Sequence, residues 1–136
     1  MRLATDEARA RLAAGDHGVL CTLHPERGVD AVPVVYAFDG DRIGVPVDLV
    51  KPKASTRLQR ERNLEADPRA TLLVEHWDRE DWSRLWWVRA ELRWAPDAEQ
   101  AALATRLAER FPQYRDRPFA RVLVLGVVGI TGWSAV

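Results

Sequence analysis

A cation-rich segment lies in the middle of the chain: Val47-Asp-Leu-Val-Lys-Pro-Lys-Ala-Ser-Thr-Arg-Leu-Gln-Arg-Glu-Arg-Asn-Leu-Glu-Ala-Asp-Pro-Arg69. Residues 51–62 contain five cations and one acid, although the formal net charge of the 136-residue chain is zero. Pro52 and the Ser-Thr pair after it start a helix over roughly 55–66, and Asp67-Pro68 ends it. A helix start flanked by cations favours anion binding, because unpaired backbone N–H groups and positive side chains point the same way. The alternative is a basic helix face that is simply solvated.

Three short strands are predicted before this segment, over residues 17–23, 29–38 and 43–47. A short helix precedes them, with Thr5 as its cap and Gly15 as its stop. Pro33 inside the second strand predicts an edge, a bulge or an interruption of pairing. The turn Asp39-Gly-Asp-Arg42 joins the second strand to the third. The three strands are therefore expected to form an antiparallel meander.

Three more strands are predicted after the segment, over residues 70–77, 85–94 and 121–133. In 85–94 the apolar and polar side chains alternate, which is typical of a half-buried strand. Trp87 lies on the polar face, where an exposed tryptophan indicates a ligand or a partner chain. A helix is expected from Pro96, with Gln100 in a capping contact and with the apolar stripe Leu103, Leu107 and Phe111. Three glycines in the last strand, at 126, 129 and 132, predict bulges or curvature.

These elements predict one mainly β (α+β) domain over residues 1–136, a six-stranded antiparallel barrel with short flanking helices. Short strands with apolar edges indicate pairing with another chain, so a homodimer is expected. Cys21, the only cysteine, is predicted to be a small buried hydrophobe. The first residues show no apolar signal region, and a cytoplasmic protein is expected.

Several chemistries find no support in the sequence. It contains no Gly-x-Gly-x-x-Gly, no Walker phosphate loop and no Gly-x-Ser-x-Gly elbow. The three histidines, at 17, 24 and 76, lack the spacing of metal ligands, so no metal site is predicted. Zero net charge with a single basic segment disfavours the alternative of a nucleic-acid or acidic-partner module. If the chain is an enzyme, a cofactor carries the chemistry.

The basic segment and the tryptophans fit a planar cofactor with an anionic tail. Such a ligand needs a flat apolar wall, backbone hydrogen bonds to its ring and cations for its tail. The second predicted strand offers the wall, and Trp86 or Trp87 offers a cover that could come from the other subunit. The candidate wall residues are Val34, Val35 and Tyr36, next to Pro33, which would leave backbone groups of the strand unpaired. The candidate cations are Lys51, Lys53, Arg57, Arg60 and Arg62.

The order of motifs resembles a known family. Gly18-Val-Leu-Cys-Thr-Leu23, then Val32-Pro-Val-Val-Tyr36, then Arg62-Asn-Leu-Glu-Ala-Asp-Pro-Arg69 looks like the pyridoxamine 5′-phosphate oxidase-like split barrels. The runs Lys-Pro-Lys-x-x-Thr-Arg-Leu at 51–58 and Leu85-Trp-Trp-Val-Arg-Ala90 are similar to a subgroup of the branch that uses the deazaflavin coenzyme F420. The resemblance covers nearly the whole chain.

The resemblance implies an FMN-binding-like split barrel, a homodimer whose cofactor lies at the interface. It implies an F420-dependent oxidoreductase that passes a hydride between the deazaflavin and an electron-poor small molecule. Tyr36 is the candidate proton donor, and a packed core or interface tyrosine is the alternative. The same barrel binding FMN or haem, or carrying F420 without turnover, remains open. The expected cofactor-binding residues are Pro33, Val34, Val35, Tyr36, Lys51, Lys53, Thr56, Arg57, Arg60 and Trp87.

Overall fold

The computed structural model describes residues 1–48, 58–116 and 119–136. Within them, seven strands form one antiparallel sheet and three α-helices flank it. None of these helices is long and apolar enough to cross a membrane. The helices are α1 (Thr5–Ala14), α2 (Gln59–Ala66) and α3 (Ala101–Arg110). The strands are β1 (His17–His24), β2 (Gly28–Val35), β3 (Ala37–Asp39), β4 (Arg42–Asp48), β5 (Arg69–His76), β6 (Trp86–Trp94) and β7 (Phe119–Ser134).

The strand order explains why the sheet curls. The order is β2-β1-β5-β6-β7-β4-β3, so β2 and β3 are the two edges of the sheet. Yet β2 and β3 are separated in sequence only by Tyr36. One residue spans only about 3.3–3.6 Å even when extended, so the two edges must lie side by side. The sheet is therefore rolled into a barrel that is split along the β2–β3 seam, which confirms the predicted split-barrel class.

The prediction of six strands and of a simple meander needs correction. The residues expected to form one strand, 29–38, belong to two strands with different partners. β2 pairs with β1, whereas β3 pairs with β4 across the turn at Gly40. Gly40 has φ +67°, a left-handed conformation that glycine adopts without a steric penalty. Of the three alternatives expected at Pro33, the edge is confirmed, since β2 is an edge strand and Pro33 stays in register opposite Val19. The interruption between the two strands lies at Tyr36.

β6 and β7 confirm the predicted patterns. Val88, Ala90 and Leu92 are buried, and the polar residues between them are exposed. β7 pairs with β4 along its first half and with β6 along its second. A register shift at Glu91/Leu92 lies opposite 127–129, inside the run of β7 where the glycines predicted a bulge. This irregularity bends β7, so that the one long strand can pair with β4 at its start and with β6 at its end.

Two hydrophobic clusters hold the fold together. The larger one fills the barrel and is closed by Ala8 and Leu12 of α1 and by Leu64 of α2. The smaller one lies between α3 and the strands β3, β4 and β7, where Leu103 and Leu107 are buried. Phe111 packs against this cluster while partly exposed, so the predicted apolar stripe of the helix is confirmed.

The helix starts differ from the sequence expectations. α3 begins at Ala101 rather than at Pro96, and Gln100 makes no capping hydrogen bond with its side chain. Instead, Gln100 Oε1 accepts a hydrogen bond of 2.8 Å from the backbone N–H of Val122. α2 begins at Gln59 after an extended Leu58, and the expected start near Ser55 lies outside the described residues.

Candidate functional site

A pocket of about 370 Å³ lies where β2, the end of β4 and the start of α2 meet. This volume falls in the range of small-molecule sites. One side is the strand wall, which we define as Pro33, Val34 and Val35 of β2. The remaining lining residues come from five other parts of the fold: His17, Val45, Pro46, Asp48, Leu58, Arg60 and Tyr114.

The strand wall lies at the split edge of the barrel. β2 pairs with β1 on one side, and its other side is the edge of the sheet. Pro33 has no backbone N–H, so at this position the wall offers a ligand an apolar ring and no backbone donor. Val34 points into the core, while Pro33 is exposed and Val35 is partly exposed. A flat apolar ring can lie against such an edge, and its polar rim can bond to the remaining backbone groups of β2.

Arg60 supplies the positive charge of the pocket. Its guanidinium Nε is buried and finds no hydrogen-bond acceptor among the described residues. Burial lowers the pKa of Arg60, while the neighbouring negative charge of Glu61 opposes that effect. A buried donor without an acceptor costs about 1–3 kcal/mol, and more when it is charged. An anionic ligand group would satisfy it, so the pocket fits a molecule that has an apolar ring and an anionic tail.

Two polar contacts fix α2 and thereby place Arg60. The amide of Asn63 is fully buried, and its Nδ2 donates to Thr22 Oγ1 at 3.0 Å and to Asp30 Oδ2 at 2.8 Å. Glu61 accepts two hydrogen bonds from the Arg121 guanidinium, at 2.6 and 2.7 Å. Asn63 thus ties the helix to β1 and β2, and Glu61 ties it to β7. A bidentate pair of this kind adds geometric specificity to its binding energy.

Asp48 and Tyr114 complete the polar part of the pocket. The Tyr114 hydroxyl donates to Asp48 Oδ2 at 3.3 Å. Burial, with the nearby Asp48 charge, raises the pKa of the Tyr114 phenol, so the group stays a neutral donor. The β4 end of the pocket therefore carries a negative charge as well as the positive charge of Arg60. In the sequence, the first of the cations in residues 51–57 comes three positions after Asp48.

The structure brings together some of the predicted site residues. Pro33, Val34, Val35 and Arg60 line the same pocket although about 25 residues separate the wall from the helix. Four further predicted residues lie outside the described part of the chain: Lys51, Lys53, Thr56 and Arg57.

Tyr36 and Trp87 lie elsewhere. Tyr36 is fully buried, and its hydroxyl donates to the backbone oxygen of Leu12 at 2.5 Å, so its side chain belongs to the core rather than to the wall. Burial raises its pKa. Trp87 is partly exposed on the outer side of β6, where the Arg89 guanidinium lies 5.4 Å from its ring centroid. The described residues that line the pocket do not include it.

Sequence reasoning missed three polar members of the pocket, His17, Asp48 and Tyr114. β1 and β2 pair with His17 opposite Val35. Pairing the first two predicted strands in this register would have placed His17 next to the strand wall. Asp48 and Tyr114 gave no such signal, because the contact between them spans 66 residues of sequence.

Comparison with known proteins identifies the family. Residues 4–134 match the sequence profile of the family described as pyridoxamine 5′-phosphate oxidase. No curated protein matches the chain.

Three solved structures share the fold at low sequence identity. A conserved hypothetical protein of Mycobacterium tuberculosis is 20% identical with a TM-score of 0.75, and the match covers 98% of this chain and 86% of the other. An FAD-binding protein of Mesorhizobium loti is 16% identical with a TM-score of 0.68, covering 97% and 93%. An FMN-binding protein of Syntrophomonas wolfei is 17% identical with a TM-score of 0.67, covering 96% and 86%. With the profile match over nearly its whole length, this chain belongs to the pyridoxamine 5′-phosphate oxidase family.

Proposed function

We propose that the protein is an F420-dependent oxidoreductase that transfers a hydride between the deazaflavin and an electron-poor small molecule. The observation that carries this proposal is the pocket that joins the strand wall to the buried guanidinium of Arg60. When bound, the reduced deazaflavin supplies the hydride. The protein's share is to orient the ring, neutralise the tail and exclude water.

The site residues have separate roles in this proposal. Pro33 and Val35 give the ring a flat apolar surface, and backbone groups of β2 bond to its rim. Arg60 binds an anionic oxygen of the tail, because its Nε lacks an acceptor among the described residues. The cations Lys51, Lys53 and Arg57, with Thr56, extend the anion site along the tail. The motifs at 51–58 and 85–90 favour the deazaflavin over other flavin-like cofactors.

We further propose that the active form is a homodimer that buries the outer apolar face of the barrel. The apolar side chains of this face are the outward ones of β1 and β2 with one from β5: Val19, Cys21, Leu23, Val29, Ala31 and Leu73. Val29 is 63% exposed, and the polar outward side chains of β5, among them Thr71 opposite Cys21, border the apolar group. Contiguous apolar surface of this kind marks an interaction site. Pro33 lies on the same side of β2 as Val29 and Ala31. A second copy bound to this face would therefore also border the pocket, and its Trp87 is the candidate residue that would cover the bound cofactor.

FMN is the second candidate cofactor. A protein of the same fold is an FMN-binding protein, and FMN also combines a flat ring with a phosphate tail. The pocket around Arg60 suits that phosphate as well as it suits the tail of the deazaflavin. Direct binding measurements are therefore needed to distinguish FMN from the deazaflavin as the cofactor.

Titration of the purified protein with F420, FMN and haem tests the assignment. Intrinsic tryptophan fluorescence reports binding, and the visible spectrum identifies the bound chromophore. We expect quenching by the deazaflavin at low micromolar concentration and weaker quenching by the other two. Tight binding of FMN or haem alone would overturn the deazaflavin assignment and leave the pocket as the site of the other cofactor. Binding of F420 without reduction of any acceptor would favour a carrier.

Arg60→Gln tests the site. Loss of one charge-assisted hydrogen bond should raise the dissociation constant of the cofactor roughly ten- to hundred-fold. Arg79→Gln removes an equivalent charge from an exposed position of the β5–β6 loop and is the matched control. Equal affinities of the two variants would show that the tail binds elsewhere.

A further inference from the structure

His17 lies where two pockets meet. It lines the cofactor pocket beside the strand wall, and it also lines a second pocket of about 330 Å³. The second pocket is open and partly aromatic, with Val74, His76, Trp77 and Trp86 in its lining. A substrate held in this second pocket would lie next to a ring held against the wall. His17 would then stand between the two.

Asp16 orients the imidazole of His17. Its carboxylate Oδ1 lies 2.7 Å from His17 Nδ1. That hydrogen bond is the largest cause holding the pKa of Asp16 below its ordinary value, so the carboxylate is ionised and can only accept. Nδ1 must therefore carry the proton. Among the described residues only Asp16 bonds to this imidazole, and Nε2 remains available to a ligand.

The turn that carries the two residues is rigidly placed. The backbone oxygen of Asp16 accepts a hydrogen bond of 3.1 Å from the N–H of Tyr36. The Tyr36 hydroxyl bonds to Leu12 O at the end of α1. A Cβ on Gly15 would overlap that hydroxyl, so only glycine lets the turn pass so close. The seam residue Tyr36 thus holds Asp16 and His17 at the edge of the wall.

We propose that His17 is the catalytic acid of this site and that Asp16 positions it. This inference rests on the proposed hydride transfer. When histidine acts as a general acid, a carboxylate can bond to one imidazole nitrogen while the reacting group lies at the other. Asp16 and His17 have this arrangement. An electron-poor, unsaturated carbonyl compound of modest size is the substrate class that fits, because its reduction needs a hydride on carbon and a proton from an acid.

The proton and electron balance can be written for cyclohex-2-en-1-one, a probe with such a double bond. The bound cofactor would supply a hydride from one of its own C–H bonds, and the electron pair of that bond would form the new C–H bond at the β-carbon of the probe. The donor is the His17 imidazolium, which carries a proton on both ring nitrogens. The enolate takes the Nε2 proton, and this leaves the neutral imidazole with its Nδ1–H still donating to Asp16. Solvent returns the proton, since the His17 side chain is 79% exposed.

His17→Ala should lower turnover of cyclohex-2-en-1-one roughly a hundred-fold, within the range for loss of a general acid. Turnover is compared at saturating cofactor, because His17 also lines the cofactor pocket, and added imidazole should restore part of it. His24→Ala is the matched control, since His24 ends the same strand and accepts only backbone N–H groups of the following turn. Equal turnover of the two variants would overturn the role of His17.

The tautomer of His17 gives a readout that needs no turnover. In ¹⁵N NMR spectra of the cofactor-free protein, we expect the neutral ring to carry its proton on Nδ1. Asp16→Asn should shift the proton toward Nε2 and lower turnover about ten-fold. An unchanged tautomer in Asp16→Asn would overturn the positioning role of Asp16. Failure of the wild-type protein to bind any of the three cofactors would instead overturn the proposed function, and the inference with it.

Discussion

Tyr36 is the single residue at the seam between β2 and β3, where the barrel is split. It separates two strands that lie at opposite edges of the sheet, and its side chain is fully buried. Its backbone N–H bonds to Asp16 and its hydroxyl to Leu12, so one residue ties α1 and the following turn to the split of the barrel. The sequence marked Tyr36 as a candidate proton donor, but its contacts give it a structural role.

Tyr36→Phe should lower the free energy of unfolding by about 1 kcal/mol at neutral pH, the usual net worth of one buried hydrogen bond. Burial raises the pKa of the Tyr36 phenol in the folded state. Near pH 10.0, the ordinary pKa of the group, the phenol of the unfolded chain begins to ionise while that of the folded chain stays protonated. Wild-type stability should therefore fall above that pH, and the difference from Tyr36→Phe should shrink. Urea unfolding at neutral and alkaline pH measures both effects. A difference that does not change with pH would contradict the buried phenol.

Asp67 offers a second test at the residue scale. The hydrogen bonds from the Arg69 side chain, with one from its backbone N–H, lower the pKa of Asp67 to about 2. A lowered pKa contributes stability above the ordinary value of 3.8, and this is lost as the pH falls toward 2. Arg69→Gln should raise the pKa of Asp67 part of the way to its ordinary value, because the backbone bond remains.

Carboxyl ¹³C titration by NMR measures that change. Arg27→Gln is the control, because Arg27 is the largest cause that lowers the pKa of a different carboxyl, Asp30. The control should raise the pKa of Asp30 and leave that of Asp67 as it was. Movement of both carboxyls in either variant would show a general change in the fold rather than the loss of one pair.

α2 is the element on which the site depends most directly. The sequence predicted this helix and its end at Asp67-Pro68, because proline and the residue before it disfavour helix. The sequence did not indicate which face of the helix is buried. Asn63 and Glu61 are polar, yet both are buried because each has partners on distant strands. The contacts of Glu61 and Asn63, which follow Arg60 in the helix, hold it in the pocket, and only the folded chain provides them.

Asn63→Ala should lower the free energy of unfolding by about 2–4 kcal/mol, because it leaves buried Thr22 and partly buried Asp30 without the amide and opens a small void. It should also weaken cofactor binding, since the helix that carries Arg60 loses its tie to β1 and β2. Gln59→Ala is the control: it removes the hydrogen bond from Gln59 to Asn63 Oδ1 and a longer, exposed one from Arg62 to Gln59, and it leaves both bonds of Asn63 to β1 and β2 in place. Denaturant unfolding compares the variants. Equal midpoints would mean that the Glu61–Arg121 pair and the packing of Leu64 hold the helix without Asn63.

At the scale of the whole molecule, the outer apolar face predicts self-association. Val29→Asp would place an unpaired carboxylate in the proposed interface, which costs several kcal/mol. The dimer dissociation constant should rise at least about hundred-fold, as measured by light scattering over a concentration series. Ala102→Asp adds the same charge to an exposed position of α3 and should leave the association state unchanged. A wild-type protein that is monomeric at every concentration would refute the proposed interface.

The sequence by itself determined the local elements of this protein. The alternation of apolar and polar residues predicted which face of β6 is buried, and the glycines predicted the irregularity of β7. Asp67-Pro68 predicted the end of α2. All three signals act over a few neighbouring residues, so they can be read from the sequence. It also singled out Pro33, Val34, Val35 and Arg60, which line one pocket in the folded chain. The tertiary structure alone decided the split at Tyr36, the opposite edges of β2 and β3, and the meeting of His17, Asp48 and Tyr114 at one pocket. These features depend on contacts between residues far apart in the chain, and no local pattern specifies which distant strand a residue will pair with.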